Sequence, residues 1–261
     1  MNNLGKATKI IAASQHLGVL TGAGISAESG VPTFRGKDGY WVKGGRNYHP
    51  MDLATYSMFR KDPETVWEWY HHRRQRYAEV RPNSGHYAIV ELEQLFEKQG
   101  RQFHLVTQNV DGLHLRAGSN PETSYHIHGE ISYMRCAGEC EHKTYPIPEG
   151  TTGVPNCPEG CGANARPHVL WFDETYNEHY FKFNSSLHLA DEIDALMFVG
   201  TELQTNLPYQ VVAQAIRRGI PVVEVNPTPT DLGRYGVTQL VEKSGVALPQ
   251  LVSHVKEQIG L

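Results

Sequence analysis

The sequence holds little that would place the chain in a membrane, on nucleic acid or in a disulfide-bonded secreted fold. No apolar run reaches the ~20 residues that a membrane-spanning helix needs. Lys and Arg total 24 against 28 Asp and Glu, a formal net charge of -4, so no nucleic-acid partner is expected. The sparse basic run Arg73, Arg74 and Arg76 reads as a solvated helix face or a local site. Cysteine is scarce: there are four, all between Cys136 and Cys161, too few and too concentrated for a secreted disulfide framework. Repeats and low-complexity tracts are absent. The first fifteen residues have neither the apolar stretch of a signal peptide nor the Arg-rich pattern of a transit peptide. They read as a short amphipathic helix, and a cytoplasmic location is expected.

Against these absences stand several short apolar, β-branched runs: Leu17 to Thr21, Phe103 to Thr107, Ala195 to Gly200 and Pro221 to Val225. Helical patterns separate them. Continuous apolar runs of this length are how strands buried on both faces read, and strands alternating with helices indicate an open parallel sheet. The expected fold is α/β, a Rossmann-type parallel sheet with a smaller inserted domain that is helical and zinc-binding. The Rossmann part is placed at about 1–34, 83–128 and 176–261. A helical insertion occupies about 35–82, with its helix at Pro63 to Glu79, and a Gly- and Pro-rich module with all the cysteines occupies about 129–175.

The first strand runs into Gly22-Ala23-Gly24-Ile25-Ser26-Ala27, a G-x-G-x-x-A form of the dinucleotide fingerprint. The glycines allow a tight turn and close approach of backbone to pyrophosphate. A helix N-terminus is expected next, offering N–H groups and partial positive charge to the phosphates. The acidic residue that a dehydrogenase carries about twenty residues on is missing from a strand end. Asp38 lies there in a loop-like stretch, which weighs against hydride transfer. Polar groups recur where strands end: Gln108, Asn109 and Asp111; Gly200, Thr201 and Glu202; and Asn226. Their convergence on one crevice suits a ligand rich in ribose hydroxyls and amides.

Cys136-x3-Cys140 and Cys157-x3-Cys161 form two close pairs, the donor set of a closed tetrahedral zinc site. His142 is an alternative ligand. With no open coordination position, the metal is expected to be structural.

Taken together, these motifs resemble the sirtuin family over nearly the whole chain. Gly22 to Gly36 resembles its signature loop, Gln108 to His114 its second motif, and His128-Gly129 its catalytic histidine motif. The cysteine module, Arg166 to Phe172, Gly200-Thr201 and Val225-Asn226-Pro227 follow in the family's order. The resemblance implies an NAD-consuming deacylase of protein lysines. Gly22, Ala23, Gly24, Ser26 and Arg35 would then hold phosphate and the ribose beside the scissile bond. Gln108, Asn109 and Asp111 would line the nicotinamide and ribose pocket, and Gly200, Thr201, Glu202 and Asn226 the adenosine end. Phe34, Tyr40, Trp41 and Ser244 complete the implied cofactor set. His128 is the implied general base, with Asn109 and Asp111 beside it. By chemistry alone His126 competes, since the two share a face of an extended segment.

The implied reaction begins with attack of the acyl oxygen on the ribose carbon as nicotinamide leaves. It ends in free lysine and O-acyl-ADP-ribose. The partners are acylated lysines of other proteins. A mono-ADP-ribosyltransferase or an NAD hydrolase would use the same pocket, and a non-catalytic nucleotide sensor is the third reading.

Tyr70 and Arg73 stand at i and i+3 of the expected helix, a spacing that puts them on one face. They resemble the Tyr-x-x-Arg pair of class III sirtuins, which implies succinyl-, malonyl- or glutaryl-lysine as substrate. Three places depart from the family: Glu202 in place of Ser, the polar stretch Gln204 to Leu207, and Asp173 in place of Gly before Glu174. From the last, an unusual peptide preference is expected.

Overall fold

The structure is a computed structural model that describes residues 2–31, 41–43 and 46–260. Helix α1 (Asn3–Ala13) leads into β1 (His16–Thr21) and a 3-10 turn (Ala23–Ser29). The hairpin β2 (Trp41–Lys43) and β3 (Arg46–Tyr48) precedes α2 (Pro50–Leu53), α3 (Tyr56–Lys61), α4 (Pro63–Glu79) and α5 (Ser84–Lys98). Next come β4 (Gln102–Thr107), α6 (Leu113–Ala117), β5 (Ser124–His126), β6 (Gly129–Cys136), β7 (Tyr145–Pro146) and β8 (Ala165–Val169). The chain closes with α7 (Glu178–Phe181), α8 (Phe183–Glu192), β9 (Ala195–Val199), α9 (Asn206–Arg217), β10 (Val222–Val225), β11 (Thr238–Leu240) and α10 (Ser244–Gln258).

Six strands form one sheet in the order β11-β10-β9-β1-β4-β5, with every adjacent pair parallel. Read from the β5 edge this is the 3-2-1-4-5-6 order of a dinucleotide-binding sheet, and its switch point falls between β1 and β9. Strands β1, β9 and β10 are buried at every position, which is why they stood out as unbroken apolar runs. One face is covered by α1, α5 and α10 through Ile11, Leu92, Phe96, Leu251 and their neighbours. The other is covered by α8 and α9 through Leu189, Leu207 and Val211. Each such fully buried side chain contributes about 1.5–3 kcal/mol.

A separate core unites the two insertions. Leu53, Phe59, Trp67 and Tyr70 of the helical segment pack with Ile131, Met134, Ala165 and Trp171 around the antiparallel sheet β7-β6-β8. Helix α4 starts where the sequence signals it: the Asp62 carboxylate accepts from Thr65 N–H and Pro63 occupies the first turn. The longer helix expected after the glycine loop is instead a seven-residue 3-10 turn. Gly30, at φ 86°, ends it, and Val31 N–H closes back on Ser26 O at 3.3 Å.

Candidate active site

The crevice forms at the switch point. Gly22 N–H donates to Val199 O at 3.0 Å and Gly24 N–H to Gly200 O at 2.8 Å, joining the loop after β1 to the loop after β9. A Cβ on Gly22 would lie 2.6 Å from Thr201 Cβ, and one on Gly24 2.6 Å from Gly200 Cα. These glycines are therefore needed for loop-on-loop contact, in addition to the approach to phosphate for which the sequence argues.

Between the loops lies a buried polar net. Ser26 Oγ donates to Asp111 Oδ2 at 2.8 Å. Asn109 Nδ2 donates to Ser26 Oγ and to Gly22 O, each at 3.1 Å. Asp111 also accepts from Leu113 N–H at 2.9 Å; burial nevertheless raises its carboxyl pKa. His86 Nε2 sits 3.4 Å from Ser26 Oγ, a neighbour that sequence reading did not single out. Gln108 bridges the crevice, donating to Thr201 Oγ1 at 2.9 Å and accepting from Thr205 Oγ1 at 3.1 Å.

His128 has a defined tautomer. Its Nδ1 lies 2.9 Å from Gln108 O, and a carbonyl only accepts, so Nδ1 carries the proton. Nε2 then holds a lone pair, which accepts from the Tyr176 hydroxyl at 2.7 Å. Burial raises the Tyr176 phenol to about 12, keeping it a donor. Burial lowers His128 to about 4, with the Gln108 carbonyl opposing, so the imidazole is neutral at neutral pH. His126 stands differently. Both its ring nitrogens are buried without a hydrogen-bond partner among the described residues, and its neighbours are Asp111, His114 and His168. Nothing in the sequence flagged Tyr176, which lies in a loop with no distinguishing pattern.

The remaining expected positions are distributed as follows. Asn226 Nδ2 donates to Thr201 O at 3.1 Å and to the buried Glu224 at 2.8 Å, so it shapes the β9 loop. Ser244 Oγ donates to Glu28 Oε2 at 3.2 Å at the start of α10. Ala23 is part of the 3-10 turn, and Glu202 is exposed in the loop after β9. Phe34, Arg35 and Tyr40 lie outside the described residues, as does the side chain of Trp41.

Tyr70 is 1 % exposed on α4, and its hydroxyl accepts from Trp171 Nε1 at 2.8 Å. Arg73 stacks its guanidinium 4.7 Å from the Trp69 ring centre and donates to Tyr77 Oη at 2.5 Å. Burial opposes its charge, but its pKa is raised: the Tyr77 hydroxyl accepts from the guanidinium, and the Asp111 carboxylate acts in the same sense from the pocket. Asp173 has a structural occupation. Its carboxylate accepts from Tyr56 N–H at 2.6 Å and Ser57 N–H at 3.0 Å, capping α3.

The four cysteine sulfurs lie within 4.8 Å of one another, and Cys136–Cys161 and Cys140–Cys157 are each 3.5 Å apart. Four thiolates around zinc at ~2.3 Å stand about 3.8 Å apart, so the set fits the metal. His142 is not among these ligands; its ring lies 4.7 Å from that of His179. The module is expected to bind one zinc per chain, to be read by elemental analysis of the purified protein. Cys157→Ala should lower soluble yield or thermal stability. A chain that is metal-free, fully folded and indifferent to chelator would contradict this.

The Sir2 family model matches residues 22–206. The NAD-dependent protein deacylase of Leptospira interrogans is 40% identical over 241 residues, covering 92% of this chain and 93% of that protein. The chain belongs to the Sir2 family. The Thermus thermophilus NAD-dependent protein deacylase is 42% identical over 232 residues, covering 89% of this chain and 87% of its own. A crystal structure of a Sir2 homologue in complex with NAD matches with a TM-score of 0.85 at 36% identity, covering 98% of this chain and 94% of that one. A further Sir2 structure, bound to a myristoylated histone peptide, matches at 29% identity with a TM-score of 0.73. As a Sir2 protein this chain is an NAD-dependent enzyme, with NAD as cosubstrate and four cysteines placed for one zinc. Among the described residues no helix is long and apolar enough to cross a membrane.

Proposed function

We propose that this Sir2 protein removes acyl groups from protein lysines at the expense of NAD, and that it favours acyl chains ending in a carboxylate. The observation that carries the first part is the fixed tautomer of His128. A neutral imidazole with its lone pair on Nε2 is a general base, and its proton-bearing Nδ1 is anchored by Gln108 O at 2.9 Å. NAD needs little activation at the scissile bond, because nicotinamide departs neutral from a cationic pyridinium. Positioning and one base are then sufficient. Asn109, Ser26 and Asp111 supply a rigid polar floor next to the glycine loop. A ribose hydroxyl reaching His128 Nε2 takes the place of the Tyr176 hydroxyl and gives up its proton there. Water is then consumed as the lysine amine is expelled, and the products are free lysine, nicotinamide and O-acyl-ADP-ribose.

The second part rests on α4. Arg73 stays charged despite burial, with the Tyr77 hydroxyl accepting from it and the Asp111 carboxylate nearby. A half-buried guanidinium and a buried phenol one helical turn apart suit a carboxylate, which arginine meets better than any other side chain. An acetyl group offers them nothing. The test is kcat/KM, with NAD saturating, for succinyl and acetyl forms of one peptide. The succinyl form is expected to be the better substrate; a clear preference for the acetyl form would remove the specificity reading and leave the deacylase.

A further inference from the structure

The hydrogen bond from Trp171 to Tyr70 has a directional consequence. An indole N–H can only donate, whereas a phenol both donates and accepts. With Trp171 Nε1 donating at 2.8 Å, Tyr70 Oη is the acceptor in this bond, and its own proton must point elsewhere. Among the described residues the Tyr70 hydroxyl makes this hydrogen bond and no other. The phenol stays protonated, since burial pushes its pKa up to about 12.

The indole has little freedom to withdraw. Trp171 is 1 % exposed. The Arg166 guanidinium lies 3.5 Å from its ring centre, and the Phe59 ring centre lies 5.3 Å away. Its backbone N–H donates to Glu174 Oε2 at 3.0 Å. Glu174 in turn accepts from Arg166 at 2.5 and 2.8 Å and lies 3.6 Å from Arg135, the residue before Cys136. A buried two-arginine, one-carboxylate cluster beside the cysteine module thus sets the place of one N–H.

We infer that Trp171 is a positioning residue for acyl specificity: its indole N–H occupies the acceptor side of Tyr70 and commits the Tyr70 proton to the substrate's terminal carboxylate. This rests on the proposal that Tyr70 and Arg73 receive that carboxylate. Without the indole, the hydroxyl is free to rotate and to accept from Arg73, and the donor is no longer preorganised.

The test is a double-mutant cycle on the succinyl-to-acetyl ratio of kcat/KM, using full-length protein, NAD and one peptide in both acyl forms. Trp171→Phe keeps a large aromatic ring and removes the N–H. It should lower the ratio about 3- to 10-fold, chiefly through KM for the succinyl peptide, with deacetylation little changed. In a Tyr70→Phe background the same substitution should have no further effect, because Trp171 acts through a hydroxyl that is gone. An unchanged ratio in Trp171→Phe, where Tyr70→Phe lowers it, overturns the role of Trp171 alone. An equal drop in both backgrounds also overturns it, by showing a general packing effect. A Tyr70→Phe enzyme with the wild-type ratio removes the carboxylate reading itself. Should Trp171→Phe fail to fold, indole hydrogen exchange by NMR decides. Exchange at Trp171 should be slow in wild type and faster in Tyr70→Phe; equal rates would contradict the bond.

Discussion

Replacing His128 by alanine is expected to reduce deacylation by ~10²–10⁴-fold, the usual cost of losing a positioned general base. NAD affinity should be largely kept, because the Asn109–Ser26–Asp111 net makes none of its bonds through His128. The check is single-turnover deacylation beside a direct binding titration with NAD. The wild-type pH profile carries the same claim. Burial holds His128 near 4, and the base works in its neutral form. Its contribution to kcat/KM is therefore fully present at neutral pH and lost as pH falls through about 4, and His128→Ala should lack that limb. Normal turnover by His128→Ala would pass the role to His126, whose two ring nitrogens have no hydrogen-bond partner among the described residues and which has Asp111 for a neighbour.

The second large effect is expected at Arg73. In Arg73→Met the long apolar stem remains and the charge goes, so a succinyl carboxylate would enter a largely desolvated site without its cation. Leaving a charge unpaired in such a place costs roughly 2–5 kcal/mol, equivalent to about 30- to several-thousand-fold in kcat/KM. Deacetylation should change far less. Tyr70→Phe removes one hydroxyl and should cost less, on the order of 0.5–3 kcal/mol. The comparison is the succinyl-to-acetyl ratio in wild type and both variants. If Arg73→Met keeps the wild-type ratio, its stacking on Trp69 and bond to Tyr77 are a packing arrangement with no part in specificity.

The parts of the molecule that were legible beforehand share a physical cause. Strands β1, β4, β9 and β10 lie inside the sheet, and β1, β9 and β10 are buried at every residue. Their apolar runs leave no ambiguity of period. Strand β5, three residues long and carrying Ser124 and His126, sits at the sheet edge and reads as loop. The opposite edge strand, β11, is equally short and also went unmarked. Helix α4 runs from Pro63 to Glu79 as the sequence predicts, with Pro63 in its first turn. The 3-10 turn is not predicted, because what shapes it is long-range: Gly24 meets Gly200 in the loop after the neighbouring strand β9, a contact that no local pattern encodes.

The site divides in the same way. Asn109, Asp111, Gln108 and His128 belong to two compact motifs, and the structure brings them together around Ser26 and Thr201. Tyr176 is 48 positions from His128 and Trp171 is 101 from Tyr70, so their roles come only from the fold. Asp173 accepts from the first N–H groups of α3, more than a hundred residues away, a contact that no local pattern encodes.

The central claim, that this Sir2 protein spends NAD to take acyl groups from lysine, is tested most directly by mass spectrometry of a single reaction of the enzyme with NAD and a succinyl-lysine peptide. Free-lysine peptide, nicotinamide and O-succinyl-ADP-ribose are expected in equal amounts. Free ADP-ribose or an ADP-ribosylated protein, with the acyl-lysine left intact, would contradict the claim and assign the pocket to NAD hydrolysis or ADP-ribosyl transfer.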